Sequence, residues 1–343
     1  MKILLGISGG VDSAFAAYKL KSEGHDVEGA VIKMHCHTEI DAALEVAESI
    51  GIPLHIIDAT TSFEEIIKEN FATEYSMGRT PNPCIICNPN VKFKSLYDYA
   101  MENGFDKIAT GHYANIIKLE ANDEVRYTLA SPADTKKDQT YMLYRLPQHI
   151  LSKTIFPLFE MNKEQVRENS RAASLSVADR GDSQEICFLP DGNYADFVQE
   201  RKGKCKPGDF VNESGEVLGC HRGIIHYTVG QRKGLGIALG TRAFVTEINP
   251  VTNTVTLSTN PKMSTEIRVT DMVYTGLAEP KEAITIEAMV KPRYTAKKIS
   301  ATVTMYPDLT AKVVFSEPTT AAPGQSLTIY NNEGILLAGG FIS

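Results

Sequence analysis

Three consecutive apolar residues, Ile3-Leu4-Leu5, run into Gly6-Ile7-Ser8-Gly9-Gly10-Val11-Asp12-Ser13, and beyond them Phe15, Ala16 and Leu20 recur on neighbouring helical turns as far as Gly24. A short apolar run bounded by glycine reads as a buried strand, and the 3.6-residue recurrence reads as one face of a helix. The same alternation continues. Residues 27–34 form a second strand, residues 41–50 an amphipathic helix stopped by Gly51 and Pro53, residues 54–57 a third strand and residues 63–75 a helix; a helix carrying Phe93, Leu96 and Ala100 precedes a strand at 107–109. Strands interleaved with helices predict an α/β fold with a doubly wound parallel sheet, and ligands of such sheets collect beyond the carboxyl ends of the strands, where Ser8, Met34 and Gly111 fall. From about residue 243 the period becomes two: Ile299, Ala301, Val303 and Met305 alternate with Ser300, Thr302 and Thr304, and the stretches 249–253 and 331–334 supply hairpin turns. This part is expected to be all-β, a small closed barrel.

The turn after the first strand carries the first chemistry. A glycine-containing turn that opens a helix aims backbone N–H groups at one point and lets an anion come close. Ser8 and Ser13 add hydroxyl donors, and Asp12 is the type of residue that holds a Mg²⁺ bridging phosphate oxygens. No lysine follows the glycines, so this is not a Walker A loop. An ordinary strand-to-helix turn is the bland alternative. The stretch resembles the SGGxDS loop of the PP-loop ATP pyrophosphatases, which implies an adenine nucleotide alpha-hydrolase-like domain that binds ATP and forms an adenylated intermediate.

Composition narrows the class. The chain has 343 residues, more than one core usually holds, with 43% hydrophobic and 22% charged residues, as in a soluble globular protein of two or three domains. The apolar stretch before Ser8 is too short for a signal sequence and no later run approaches membrane length, so a cytoplasmic protein is expected. The net charge of −7 argues against a polyanionic partner only on average. Residues 201–242 hold eight Lys/Arg against three Asp/Glu, and Lys291, Arg293, Lys297 and Lys298 cluster without an acid. Such segregation suits nucleic acid, a solvated surface being the alternative.

Six cysteines in a chain of this size and expected compartment are not a disulfide scaffold. His35-Cys36-His37 has the composition of a metal site, but consecutive residues point in opposite directions, so an exposed loop is expected. In Arg79-Thr80-Pro81-Asn82-Pro83-Cys84-Ile85-Ile86-Cys87-Asn88 two prolines are expected to exclude helix and stiffen a loop. Asn90 is placed to cap the helix that follows, whose positive end would favour a thiolate.

From Gly78 through Phe93 the chain matches the pattern G-x-T-P-N-P-[DC]-x-x-C-N-x-x-[IV]-K-F. Further on come Thr110-Gly111-His112-Tyr113-Ala114, Lys137-Asp138-Gln139-Thr140-Tyr141, Asp182-Ser183-Gln184-Glu185-Ile186-Cys187-Phe188, Tyr227-Thr228-Val229-Gly230-Gln231-Arg232-Lys233-Gly234-Leu235-Gly236, Pro292-Arg293-Tyr294, Pro323-Gly324-Gln325 and Gly339-Gly340. In this order the set resembles the tRNA-specific 2-thiouridylases (MnmA/TrmU), over essentially the whole chain. The resemblance implies a PP-loop catalytic domain over 1–201, a small central tRNA-contacting domain over 202–266 and a C-terminal β-barrel over 267–343. It implies an ATP-dependent sulfurtransferase that adenylates the C2 oxygen of the wobble uridine, position 34, in tRNAs for Lys, Glu and Gln, and replaces it with sulfur.

By the same resemblance Gly6, Ile7, Ser8, Gly9, Gly10, Val11, Asp12, Ser13, Met34 and Gly111 contact ATP; Asn82, Pro83 and Cys84 border the target base; and His112, Lys137, Asp138, Gln139, Arg293, Tyr294 and Gln325 contact tRNA. The position of Cys187 carries the sulfur as a persulfide and that of Cys87 is the paired nucleophile. On composition alone Met34 is equally a core methionine and the polar residues equally surface hydrogen-bonders, while the cysteines read first as buried thiols, an order that the flanking motifs reverse. Cys84 stands where many members have aspartate, so Cys84, Cys87 and Cys187 are also three candidate ligands of a [4Fe-4S] cluster that binds sulfide, with zinc a lesser reading. A protein sulfur donor or free sulfide is the implied partner, and no membrane. Two rivals stay open: an amidating or ligating synthetase of the same loop class, and a tRNA- or nucleotide-binding protein without turnover.

Overall fold

In the computed structural model, residues 1–121, 124–181, 186–189, 192–237, 240 and 242–343 are described. The opening apolar run is β1 (Lys2–Gly6), followed by α1 (Val11–Ser22), β2 (Asp26–Lys33), α2 (Ile40–Ile50) and β3 (Leu54–Asp58). Gly51 ends α2 in the left-handed region, at φ 69° and ψ 52°, which glycine adopts without a Cβ clash. A helical run over 60–76, here α3, precedes a second over 83–102, here α4. Then come β4 (Lys107–Thr110), a hairpin of β5 (Asn115–Ala121) and β6 (Glu124–Ala130) that the sequence pattern did not reveal, β7 (Thr154–Ile155) and α5 (Lys163–Ala172).

The sheet runs β3-β2-β1-β4-β7 with every pairing parallel, the expected doubly wound arrangement. Successive residues of β1 serve opposite layers. Ile3 and Leu5 pack with Val27 and Val31 under α1 and α2, while Leu4 packs with Ala30 and Ile32 under α3 and α4. All three β1 side chains are fully buried, each contributing about 1.5–3 kcal/mol relative to exposure. This double burial is why the run is continuously apolar instead of alternating.

The β-rich part begins earlier than the change of period at 243. β8 (Gly208–Val211) and β9 (Val217–His221) join β10 (Phe244–Asn249) and β11 (Thr254–Ser258) in a four-stranded sheet. The last six strands, β12 (Ser264–Tyr274), β13 (Ile284–Lys291), β14 (Ile299–Met305), β15 (Ala311–Thr319), β16 (Ser326–Tyr330) and β17 (Leu336–Ile342), close into a barrel. Ala301, Val303 and Met305 point into it, as their alternation predicts. Among the described residues no helix is long and apolar enough to cross a membrane.

The barrel docks on the N-terminal α/β domain through tyrosines. Tyr141 Oη donates to Ser326 O at 2.8 Å, and the Tyr144 and Ser326 hydroxyls lie 3.0 Å apart. Tyr144 packs close against the barrel strand because residue 339 is glycine: a Cβ there would stand 2.7 Å from the Tyr144 ring.

Candidate active site

The glycine loop lies at the carboxyl end of β1, and Gly10 caps α1 without a side-chain bond, the arrangement in which helix N–H groups serve an anion. Ser13 Oγ donates to Gly10 O at 3.0 Å and accepts from Ser8 N at 3.1 Å, so the two serines shape the turn internally. Gly9 needs its φ of +75°, and a Cβ there would lie 2.7 Å from Ala42 Cβ. Gly111, at the end of β4, passes so close that a Cβ would sit 2.7 Å from Asp12 C and Ser13 N. The backbone thus brings Gly111 to the loop.

Three further residues converge on this loop. Lys163 Nζ lies 2.8 Å from Asp12 Oδ1 and 2.7 Å from Oδ2, and Tyr113 Oη donates to Oδ1 at 2.8 Å. Arg180 Nη1 donates to Gly9 O at 3.1 Å while its Nη2 meets Glu39 Oε1 at 2.6 Å. Sequence reasoning missed Lys163 and Arg180. A signal for the first was present: Asn162 and Gln165 form a capping box, which puts Lys163 in the first turn of α5, where an ammonium opposes the helix dipole and needs a carboxylate partner.

The second cluster corrects the expectation for residues 79–90. A helix does form, starting at Pro83, because the first helical position needs no N–H and suits the fixed φ of proline. Asn82, not Asn90, is its cap: Asn82 Oδ1 accepts from Cys84 N at 3.2 Å, whereas Asn90 Nδ2 donates to Ile86 O at 2.9 Å. Asn88–Lys92 winds as a π-helical turn around Pro89, which has no N–H to offer.

Cys84 is therefore the thiol at the positive helix end, and it is exposed. Cys87 lies one turn further in, buried, its Sγ 3.8 Å from Met34 Sδ at the end of β2. Burial pushes the Cys87 thiol up to about 12; Lys92, through its charge and backbone N–H, pulls the other way. The thiolate expected from the helix dipole is thus absent at Cys87. Cys187 is exposed by area, yet surrounding protein raises its thiol too, and the charges of Cys84 and Lys92 reach it. Cys84, Cys87 and Cys187 are close enough that ionisation of Cys84 or Cys187 opposes that of Cys87.

A raised pKa keeps Cys87 protonated through neutral pH and exposes a thiolate only toward the top of the range. At pH 7.5 it holds on the order of a thousandfold less thiolate than an ordinary cysteine. Peptide mass spectrometry after brief iodoacetamide treatment of the native protein is expected to find Cys84 labelled and Cys87 spared, with Cys87 labelling rising about tenfold per pH unit. Equal labelling at pH 7.5 would contradict the buried thiol.

Of the residues expected to meet RNA, Gln325 and Tyr294 come near this cluster. Gln325 Nε2 donates to Thr80 O at 2.6 Å, so the barrel reaches the loop that holds Asn82 and Pro83. Tyr294 lies tilted against Tyr141, ring centroids 5.9 Å apart, and the charges of Lys137, Asp138 and Cys84 all reach its phenol, whose pKa burial raises. Arg293 beside it is exposed. Gln139 Oε1 accepts from Tyr113 N at 2.8 Å. His112 bonds Thr110 through Nδ1 at 2.8 Å and packs on Phe93; burial pushes its imidazole down to about 3, so it meets a partner as a neutral ring.

Asp138 differs from its neighbours. It is buried, accepts from Thr140 and Ser131, and pairs with Lys298 at 3.7 Å. Lys298 in turn lies 3.8 Å from the Tyr330 ring centroid, and Lys291 stacks over Tyr294 at 5.2 Å. Of the 291–298 cluster, Arg293 and Lys297 are therefore the exposed cations. Arg201 and Lys202 of the other basic segment pair with Glu64 and Glu69.

His35 corrects the exposed-loop expectation for the His35-Cys36-His37 stretch. It is buried against Phe63, ring centroids 5.3 Å apart, and its pKa falls to about 4 through burial, while Cys36 and His37 are exposed. The Asp182-Ser183-Gln184-Glu185 part of the later motif lies outside the described residues.

The donor sets bear on metals. Among the described residues no three Cys, His, Asp or Glu side chains converge as ligands of one metal ion, so the arrangement does not fit a zinc site. Both oxygens of Asp12 are held by Lys163, so this carboxylate does not present itself to Mg²⁺.

Comparison with known proteins matches three family models to successive parts of the chain. Residues 1–191 match the family model described as tRNA methyl transferase HUP domain, residues 195–259 its PRC-barrel domain, and residues 264–342 an Aminomethyltransferase beta-barrel domain. The chain is 42% identical over 358 residues to a protein of Lachnoclostridium phytofermentans named tRNA-specific 2-thiouridylase MnmA, covering 99% of both chains. Proteins of the same name from Acetivibrio thermocellus and Clostridioides difficile are 41% identical over 359 residues and 39% over 357, covering 99% of this chain and 99% and 98% of theirs.

Proposed function

This chain belongs to the MnmA family of tRNA-specific 2-thiouridylases, and from that premise we propose that it replaces the C2 oxygen of the wobble uridine in tRNA by sulfur, at the expense of ATP and through a cysteine persulfide. A uridine oxygen is a poor leaving group, so it must first be activated. The loop from Gly6 to Ser13 holds ATP. The C2 oxygen attacks the α-phosphorus, the bond to the β-phosphate oxygen breaks, and pyrophosphate leaves. The terminal sulfur of a Cys187 persulfide then attacks C2 and expels AMP. The Cys87 thiol attacks Sγ of Cys187 as its proton passes to N3 of the base; the sulfur–sulfur bond to the base breaks, the thiocarbonyl stays on uridine, and a Cys87–Cys187 disulfide remains for an external thiol to reopen.

The observation that carries this reading is the 3.8 Å contact of Cys87 Sγ with Met34 Sδ, which ties the thiol cluster to the strand end beside the nucleotide loop. The placement of Gln325, Tyr294 and Arg293 around the same cluster supports an anticodon-loop partner, because an unstacked base can be splayed between a loop and a barrel wall. The family models carry methyl transfer in their descriptions. Two thiols beside a nucleotide loop are what a persulfide relay requires, so the cysteines favour thiolation.

The test is reconstitution with unmodified tRNA transcripts for Lys, Glu and Gln, ATP and a persulfide donor, read by nucleoside mass spectrometry. One AMP and one pyrophosphate are expected for each 2-thiouridine, confined to the wobble position. ATP turnover with sulfur-free tRNA would overturn the proposal in favour of a ligase. ATP bound with no pyrophosphate released would favour a binding protein.

A further inference from the structure

We propose that Lys163 and Arg180 are the residues that receive the pyrophosphate leaving group, with Asp12 as the partner that keeps Lys163 poised at the loop between turnovers. The inference rests on the adenylation reading, in which the electron pair of the broken phosphorus–oxygen bond leaves with pyrophosphate. New negative charge then develops at the loop, and something must meet it.

The geometry singles out these two cations. Lys163 and Arg180 lie 151 and 171 residues from Asp12 and Gly9, yet both end on the same short turn. Lys163 is held there against the dipole of its own helix, α5, whose start is locked by the Asn162–Gln165 capping box. Its side chain is 13% exposed, so a partner charge is required. Asp12 supplies it with both oxygens, and Tyr113 fixes Oδ1 from the far side.

A bare carboxylate inside a phosphate loop would repel the phosphates. The Lys163 ammonium cancels it and stands where a metal ion would otherwise bridge carboxylate and phosphate. It is a flexible, strongly hydrated point charge with three donors, suited to exchanging a carboxylate oxygen for a phosphate oxygen. Arg180 approaches from the side of Gly9, braced by Glu39, and its fork suits the second phosphate. Leaving-group charge is thereby stabilised by groups already in place.

The experiment is calorimetric binding of inorganic pyrophosphate to the full chain in EDTA, with ATP, tRNA and sulfur donor omitted. Lys163→Met and Arg180→Met are each expected to weaken binding at least tenfold, and Lys163→Arg to stay within a few-fold of the parent. Asp12→Asn is expected to tighten it severalfold, since Lys163 no longer has an anion to leave. Thermal midpoints and tRNA affinity of each variant control for folding. If Asp12→Asn and Lys163→Met lose affinity together, the pair is only a structural brace and the assignment fails. Equal affinity of Lys163→Met and parent, including no binding by either, also overturns it. A protein that binds pyrophosphate in this pattern but makes no 2-thiouridine defeats the proposed function and leaves the cation assignment intact.

Discussion

Serine at Cys187 or at Cys87 is expected to lower 2-thiouridine formation at least about a thousandfold while leaving ATP affinity unchanged, because a hydroxyl neither carries sulfane sulfur nor attacks a sulfur–sulfur bond at neutral pH. The two variants should stall at different points. Cys187→Ser accepts no persulfide and accumulates adenylated tRNA or uncoupled AMP. Cys87→Ser still loads Cys187 and still displaces AMP, so a covalent adduct between Cys187 and the base builds up, visible as a protein–tRNA band that dithiothreitol dissolves. Cys87 is buried, and a hydroxyl against Met34 loses a partner at a cost of about 1–3 kcal/mol. Cys87→Ala is therefore run beside it, and the same trapped adduct is expected. Cys84→Ser separates the persulfide relay from a cluster: the relay does not use Cys84, so thiolation should stay within about an order of magnitude of the parent. Normal thiolation by both Cys87→Ser and Cys187→Ser would remove the cysteine assignment, and abolition by Cys84→Ser alone would require the three thiols to act as a ligand set.

The parallel sheet was readable because its strands are buried on both faces, which leaves continuous apolar runs such as Ile3-Leu4-Leu5. The barrel was readable because one face of each strand is buried, as in Ala301, Val303 and Met305. Local rules failed where one residue has two uses. Pro83 breaks a helix interior but starts a helix, and only its place after Asn82 decides between them. Cys87 lies one turn inside the helix that Asn82 caps, yet burial, a tertiary property, outweighs the dipole and keeps it a thiol. Lys298 and Asp138 read as surface charges for RNA, and only the docking of the barrel on the N-terminal domain turns them into a partly buried pair. Arg180 has no local signal at all. Its meeting with Gly9 is made by chain topology.

Alanine at Gly111 is expected to reduce ATP affinity by about one to two orders of magnitude, a large effect for one methyl group. The cause is distance, not backbone strain, since this glycine is not among those with positive φ. Because β4 pairs in register with β1, its end arrives beside the start of α1, and the added Cβ meets Asp12 C and Ser13 N at 2.7 Å and Asp12 O at 3.0 Å. These are backbone atoms of the loop, which cannot swing aside as a side chain can. Either β4 separates from the helix or the first turn of α1 shifts, and overpacking of this kind costs about 1–3 kcal/mol of stability. The functional loss exceeds the stability loss because an anion site built from N–H groups depends on their common aim, and a displacement of about 1 Å is worth roughly a hundredfold in a positioned complex. Gly181→Ala is the control: among the described residues nothing lies within 4 Å of its Cβ position, and it should bind ATP and melt like the parent. Calorimetric ATP titration with a thermal melt for each protein reads both quantities. Unaltered ATP affinity in Gly111→Ala would mean that the nucleotide does not sit on the turn between β1 and α1.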